Sequence, residues 1–137
     1  MTISMRLVAA AALLAALSGP ASAQQSEQVQ FEPGNYGTML SGSITGHEYM
    51  DHKLRASKGQ EMFVSLTVTD TNGHGSAYFN ILPPGSDNVA IYNGSSEGRS
   101  TTMTLPDNGE YIIRVYLMGN DQDAGKTVSY NLDLSIQ

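Results

Sequence analysis

Several short stretches of this sequence carry residue types that perform chemistry in other proteins. Gly94-Ser95-Ser96-Glu97-Gly98 fits G-x-S-x-G, a spacing that presents a serine nucleophile on a sharp strand-to-helix turn inside a parallel sheet. Nothing with helical periodicity follows it, so the stretch reads as a Gly/Ser-rich hairpin loop. Asp70-x-Asn72-Gly73 and Asp121-x-Asp123-x-Gly125 have the acidic spacing of calcium loops. A hard cation takes about six to eight oxygens, and neither stretch supplies a closing bidentate Glu. His47, His52 and His74 fall on separate segments, whereas zinc needs converging ligands. His52 shares its parity with Met50 and Leu54, which places it at the edge of a core face. No metal and no cofactor is expected. No carboxylate pair forms an acid/base couple, so the chain does not read as an enzyme. Asn93-Gly94-Ser95 is a glycosylation sequon. Arg114 is the most informative polar residue. It lies between Ile113 and Val115, on the face of Ile112 and Tyr116. An arginine there either pairs with an acid or presents a binding face.

These residues must be positioned by strands, because period-two alternation dominates. Val64, Leu66 and Val68 alternate with Phe63, Ser65 and Thr67. Tyr111, Ile113, Val115 and Leu117 alternate with Ile112, Arg114 and Tyr116, and Tyr130, Leu132, Leu134 and Ile136 with Asn131, Asp133 and Ser135. Each pattern marks a strand with one buried face. Turn residues break the runs at short intervals, as at Pro83-Pro84-Gly85 and Pro106-Asp107-Asn108-Gly109. The breaks leave strands near 28–31, 38–44, 48–56, 61–69, 77–82, 89–92, 100–105, 110–118 and 128–136. The expected fold is all-β: a single antiparallel β-sandwich of about eight strands, jelly-roll-like.

The chain has 137 residues, 7 Lys+Arg against 13 Asp+Glu, 14 Gly and no Cys. That length accommodates one domain, and without Cys there is no disulfide framework and no thiol nucleophile. An acidic chain is a poor match for nucleic acid, whose binding rests on cationic side chains. Residues 1–23 read as a signal peptide, with Arg6, an apolar run from Leu7 to Leu17, and Ala21-Ser22-Ala23 as the cleavage site. The run is too short to span a bilayer, so no membrane partner is expected. The mature domain is then 24–137, a secreted protein of the periplasm. Removing Arg6 leaves 6 Lys+Arg against 13 Asp+Glu, a net charge of −7.

The order of these pieces resembles the periplasmic inhibitors of g-type lysozyme. The likeness runs through Ser41-Gly42-Ser43-Ile44-Thr45-Gly46, Ala56-Ser57-Lys58-Gly59-Gln60 and Ala77-Tyr78-Phe79-Asn80-Ile81 with Pro83-Pro84-Gly85. It continues through Leu105-Pro106-Asp107-Asn108-Gly109-Glu110-Tyr111-Ile112-Ile113-Arg114-Val115-Tyr116 and closes on Tyr130-Asn131-Leu132-Asp133-Leu134. The K-G-Q turn and the L-P-x-x-G-x-Y-x-I-R-V strand also resemble β-sandwich domains appended to secreted bacterial peptidases. Here the sandwich is the whole mature chain, which favours the inhibitor family.

The resemblance implies a protein that blocks the substrate cleft of a g-type lysozyme with loop side chains, and that is not itself an enzyme. Loops near 46–49, 93–99 and 118–125 would carry the contact, with Arg114, Tyr49, Tyr116, Ser95, Glu97, His47 and Met118 as the expected lysozyme-binding residues. Against the family pattern, His47 stands where an aromatic is usual, and Gly119 and Asp123 where cations are usual. The alternative is a non-inhibitory binding module for glycan or an envelope protein. Tyr36, Tyr49, Tyr92 and Tyr116 forming a flat platform would favour glycan. A protruding loop bearing Arg99 or Met118 would favour cleft insertion.

Overall fold

A computed structural model describes residues 24–137; the expected signal peptide lies outside the described residues. Among the described residues, nine strands, β1 (Gln24–Gln28), β2 (Gly37–Thr45), β3 (Tyr49–Ala56), β4 (Glu61–Thr71), β5 (Ala77–Leu82), β6 (Tyr92–Asn93), β7 (Ser100–Thr104), β8 (Gly109–Leu117) and β9 (Thr127–Ile136), form two sheets. Sheet A has the order β1-β3-β8-β5-β6 and sheet B the order β2-β9-β4-β7. Two one-turn helices, α1 (Gly94–Glu97) and α2 (Gly119–Asp123), occupy stretches the sequence reads as loops.

The alternation anticipated from sequence is the alternation of burial. Ile113, Val115 and Leu117 on β8, Leu132 and Leu134 on β9, and Val64 and Leu66 on β4 point between the sheets and are buried. Each contributes about 1.5–3 kcal/mol by leaving water. Phe79 stacks on Tyr92, with ring centroids 5.3 Å apart. Gly42 on β2 leaves room for Tyr130: a Cβ there would lie 2.5 Å from the phenolic oxygen.

Two turns that carry the family resemblance meet at one end of the molecule. Lys58 N–H donates to Asn108 Oδ1 (2.8 Å), and Gly59 N–H donates to the Leu105 carbonyl (2.9 Å). The buried Tyr111 hydroxyl donates to the Asp107 carbonyl (2.7 Å) and accepts from the Asp107 N–H (3.0 Å), pinning the 105–109 turn to β8.

The structure departs from the sequence expectation at two strands. The first strand is 24–28 rather than 28–31, and it pairs with β3 in parallel, not antiparallel. Its sequence, QQSEQ, has no apolar alternation, so side chains set its place. Glu27 Oε1 meets His52 Nδ1 at 2.8 Å, and Gln24 Nε2 donates to Asp51 Oδ2 at 3.1 Å. His52 is therefore wholly buried rather than at the rim of the core, with Nε2 2.8 Å from the Tyr130 hydroxyl. Burial lowers the proton affinity of His52, and Glu27 offsets part of that. The other departure is the expected strand at 89–92, which shrinks to the two residues of β6.

Candidate functional site

β3 and β8 pair antiparallel, with Asp51 opposite Arg114 and Tyr49 opposite Tyr116. Since strand side chains alternate, all four project from the outer surface of sheet A. Arg114 Nε and Nη2 donate to Asp51 Oδ1 and Oδ2 at 2.7 and 2.9 Å, a bidentate pair. The Arg114 guanidinium carbon also lies 4.5 Å from the centre of the Tyr49 ring, a cation–π contact. Its Nη1 donates to the Asp87 carbonyl at 3.2 Å. Asp51 has no solvent exposure, while the Arg114 side chain keeps 19%. The carboxylate raises the proton affinity of Arg114 further above its ordinary value. Of the two sequence readings of Arg114, pairing with an acid is the observed one. That pairing holds the guanidinium rigid against Tyr49 at the surface.

Tyr116 extends the same surface towards β5, where it stands opposite Tyr78 with ring centroids 6.3 Å apart. Its hydroxyl donates to Asn80 Oδ1 (2.8 Å), and the same oxygen accepts the Gly94 N–H (3.1 Å). Asn80 thus ties the aromatic row to the start of α1. Gly94 is required there, because a Cβ would collide with the Phe79 carbonyl. Beside α1 lies an open pocket of ≈ 470 Å³ lined by Ser76, Tyr78, Ser95, Ser96, Met118 and Gly119. Met118 is 42% exposed.

Arg99 is exposed, but its guanidinium is tied back to the body. Its Nε and Nη2 donate to the carbonyls of Ala77 (3.0 Å) and Gly75 (2.6 Å), and its guanidinium lies 5.1 Å over the Tyr78 ring. Glu97 is exposed, but its Oε2 accepts the Asn93 N–H at 2.9 Å and so closes its own helical turn. The imagined tyrosine platform does not form, because Tyr92 is buried with its hydroxyl on the Gly98 carbonyl at 2.7 Å.

The turn after β2 packs on α2: a Cβ on Gly46 would lie 3.4 Å from Gly125 Cα. His47 Nε2 lies 4.0 Å from Asp123 Oδ1, both side chains being well exposed. Two positions singled out in the sequence, His47 and Asp123, are thus neighbours. Asp121 is buried instead, and its two oxygens accept the N–H groups of His74 (2.9 Å) and Ser76 (2.8 Å). Those bonds lower its affinity for a proton and direct the carboxylate to loop support. Among the described residues, no three His, Cys, Asp or Glu side chains converge as metal ligands.

Arg114, Tyr49, Tyr116, Ser95 and Met118 are therefore linked along the end of sheet A where β3 begins and β8 ends, with His47 and Glu97 on the adjoining turns. Sequence reasoning missed Asp51, Asn80 and Asp121 as the groups that hold this surface. The one signal for Asp51 was an acid at outward parity in the same strand as Tyr49.

No family model matches this chain, but individual proteins resemble it. The inhibitor of g-type lysozyme from Escherichia coli K12 is 31% identical over 128 residues, spanning 91% of this chain and 92% of that protein. The crystal structure of PliG from Aeromonas hydrophila, a periplasmic inhibitor of g-type lysozyme, superposes with a TM-score of 0.74. It is 32% identical, over 83% of this chain and 97% of that one. The pre-peptidase C-terminal domain of a Bacillus anthracis collagenase shares the fold alone, with a TM-score of 0.53 at 15% identity, over 83% of this chain and 94% of that one.

Proposed function

The chain belongs to the family of periplasmic g-type lysozyme inhibitors, and from that premise we propose that it binds a g-type lysozyme through the Arg114 end of sheet A and closes the enzyme's substrate cleft. The observation that carries this reading is the fixed Arg114–Tyr49 pair. A guanidinium already held by a buried carboxylate and stacked on an aromatic loses little further rotamer freedom on binding, so more of its contact energy appears as affinity. Arginine and tyrosine are also the residue types that most often dominate protein interfaces.

The mechanism is steric. Met118 and Ser95, which line the open pocket, and Tyr116 form the surface that meets the cleft. Arg114 and Tyr49 supply polar anchorage, and His47 and Glu97 lie on the rim. The net negative charge steers the protein towards a cationic enzyme and raises the association rate at low salt. The chain acts as a binder and not as a hydrolase: Ser96 of the G-x-S-x-G stretch sits on a one-turn helix after a two-residue strand that pairs antiparallel with β5, unlike a nucleophile elbow. Residues 1–23 act as a cleaved signal that delivers residues 24–137 to the periplasm.

The test is lysis of peptidoglycan by g-type, c-type and i-type lysozymes with added purified protein. Stoichiometric loss of g-type activity alone is expected. No inhibition at micromolar protein would contradict the reading and favour a binding module without inhibitory action.

A further inference from the structure

The outer surface of sheet B differs in chemistry from the Arg114 surface of sheet A. Its outward side chains are mostly hydroxyls, with the amide of Asn131, the carboxylates of Glu61, Asp70 and Asp133, exposed Met39 and no cation on its four strands. Along the β2–β9 seam several of these groups bond one another. Ser41 donates to Asn131 Oδ1 (2.8 Å), the Thr45 and Thr127 hydroxyls meet at 2.8 Å, and Ser129 donates to Ser43 at 3.3 Å.

One place on this surface holds an aromatic ring. Phe63 projects outward between two partners, opposite Thr102 on β7 and opposite Ser135 on β9. With Glu61 and Gln137 these residues line a pocket of ≈ 220 Å³. Among the described residues, neither the Thr102 nor the Ser135 hydroxyl has a side-chain hydrogen-bond partner, and the Glu61 carboxylate has no ion pair. β2 stands beside Ser135 with Gly37, which adds no side chain and leaves that flank open.

We propose that Phe63, Thr102, Ser135 and Glu61 form a binding site for one neutral pyranose ring. An aromatic ring offers an apolar, electron-rich face for the C–H groups of a sugar. Two uncommitted hydroxyls and a carboxylate at its edge match sugar hydroxyls, which both donate and accept. The lack of any cation disfavours anionic ligands, and the small volume limits the site to a single ring. β-Branched Thr102 is stiff about χ1, so little entropy is lost when its hydroxyl is engaged. Because the two outer surfaces lie on opposite sheets, the sugar site stays open while the Arg114 surface holds a lysozyme. The protein would then bind a glycan on one side and the enzyme on the other.

The experiment is a nitrogen-15 NMR titration of the purified protein with glucose and N-acetylglucosamine, each as the monosaccharide and as the β-1,4-linked trimer. The expected result is saturable shifts centred on Phe63, Thr102 and Ser135, with a dissociation constant on the order of millimolar. Tighter binding of the trimer identifies a glycan chain as the source, and equal binding identifies a free sugar. Phe63→Ala weakens binding at least about tenfold and Phe63→Tyr preserves it. Thr102→Val with Ser135→Ala gives a second test that leaves the aromatic in place. Inhibition of lysozyme is unchanged in all of them. The proposal is overturned by the absence of saturable shifts at about 100 mM sugar, or by shifts that persist in both Phe63→Ala and the Thr102/Ser135 variant. It is also overturned by self-association that Phe63→Ala abolishes without any sugar shift, which assigns the surface to a second copy of the chain.

Discussion

Asp51 and Arg114 face each other across the β3–β8 ladder, 63 residues apart in the chain, in a bidentate pair whose carboxylate is wholly buried and whose guanidinium reaches the surface. The pair serves both fold and site. It neutralises an acid that sheet A could not otherwise enclose, and it fixes the cation that the proposed interface presents beside Tyr49.

Removing only one member of this pair leaves an uncompensated group. Arg114→Ala should destabilise the protein by about 3 kcal/mol, read by urea denaturation, and weaken inhibition at least tenfold, about 1.4 kcal/mol. Replacing both members, Arg114→Ala with Asp51→Leu, should recover most of the stability, because apolar groups substitute well for buried ion pairs. Inhibition should not recover. A double variant that regains full inhibition would make Arg114 purely structural.

Buried His52 links stability to pH. Its proton affinity is lowered in the fold, so the unfolded chain binds the proton first as pH falls. Stability is therefore complete above the ordinary histidine value of 6.5, declines below it, and levels off beneath the folded value. Denaturation between pH 7.5 and pH 5 should show this slope, and His52→Gln should flatten it.

The Asp121 carboxylate is held below its usual range by the His74 and Ser76 N–H groups. Its contribution is present above the usual carboxylate value and lost as pH falls through the folded one. Asp121→Asn should remove that acid dependence. Amide exchange at His74 and Ser76 should speed up more than at core residues such as Leu132.

Gly94 lets α1 lie directly on β5. Gly94→Ala brings a methyl against the Phe79 carbonyl and should cost about 1–3 kcal/mol. Displacement of Ser95 and loss of the Asn80–Gly94 bond should weaken inhibition beyond any effect of Ser95→Ala. Equal inhibition by Gly94→Ala and the wild type would exclude α1 from the interface.

Much of the fold was legible because alternation and turn chemistry are local signals. Strands β3, β4, β5, β8 and β9 lie close to where their patterns place them, and Phe63 and Arg114 take their outward parity. β1 was misplaced because its five residues carry no apolar period, and its position depends on Glu27 reaching His52 and Gln24 reaching Asp51. Asp51 as the partner of Arg114 was equally hidden. Alternation fixes which side a residue faces, but not the register between strands distant in the chain. The two helices are single turns, too short for any period to show, and α2 is positioned by the tertiary bonds of Asp121.

Contact between the Arg114 end of sheet A and the lysozyme underlies the proposed inhibition. It is tested most directly by recording the amide and side-chain NMR spectrum of the labelled protein as unlabelled g-type lysozyme is added. The expected result is a footprint on Tyr49, Ser95, Arg114, Tyr116 and Met118, with Phe63 and Ser135 unchanged. A footprint centred on sheet B, or no change at micromolar lysozyme, would contradict it.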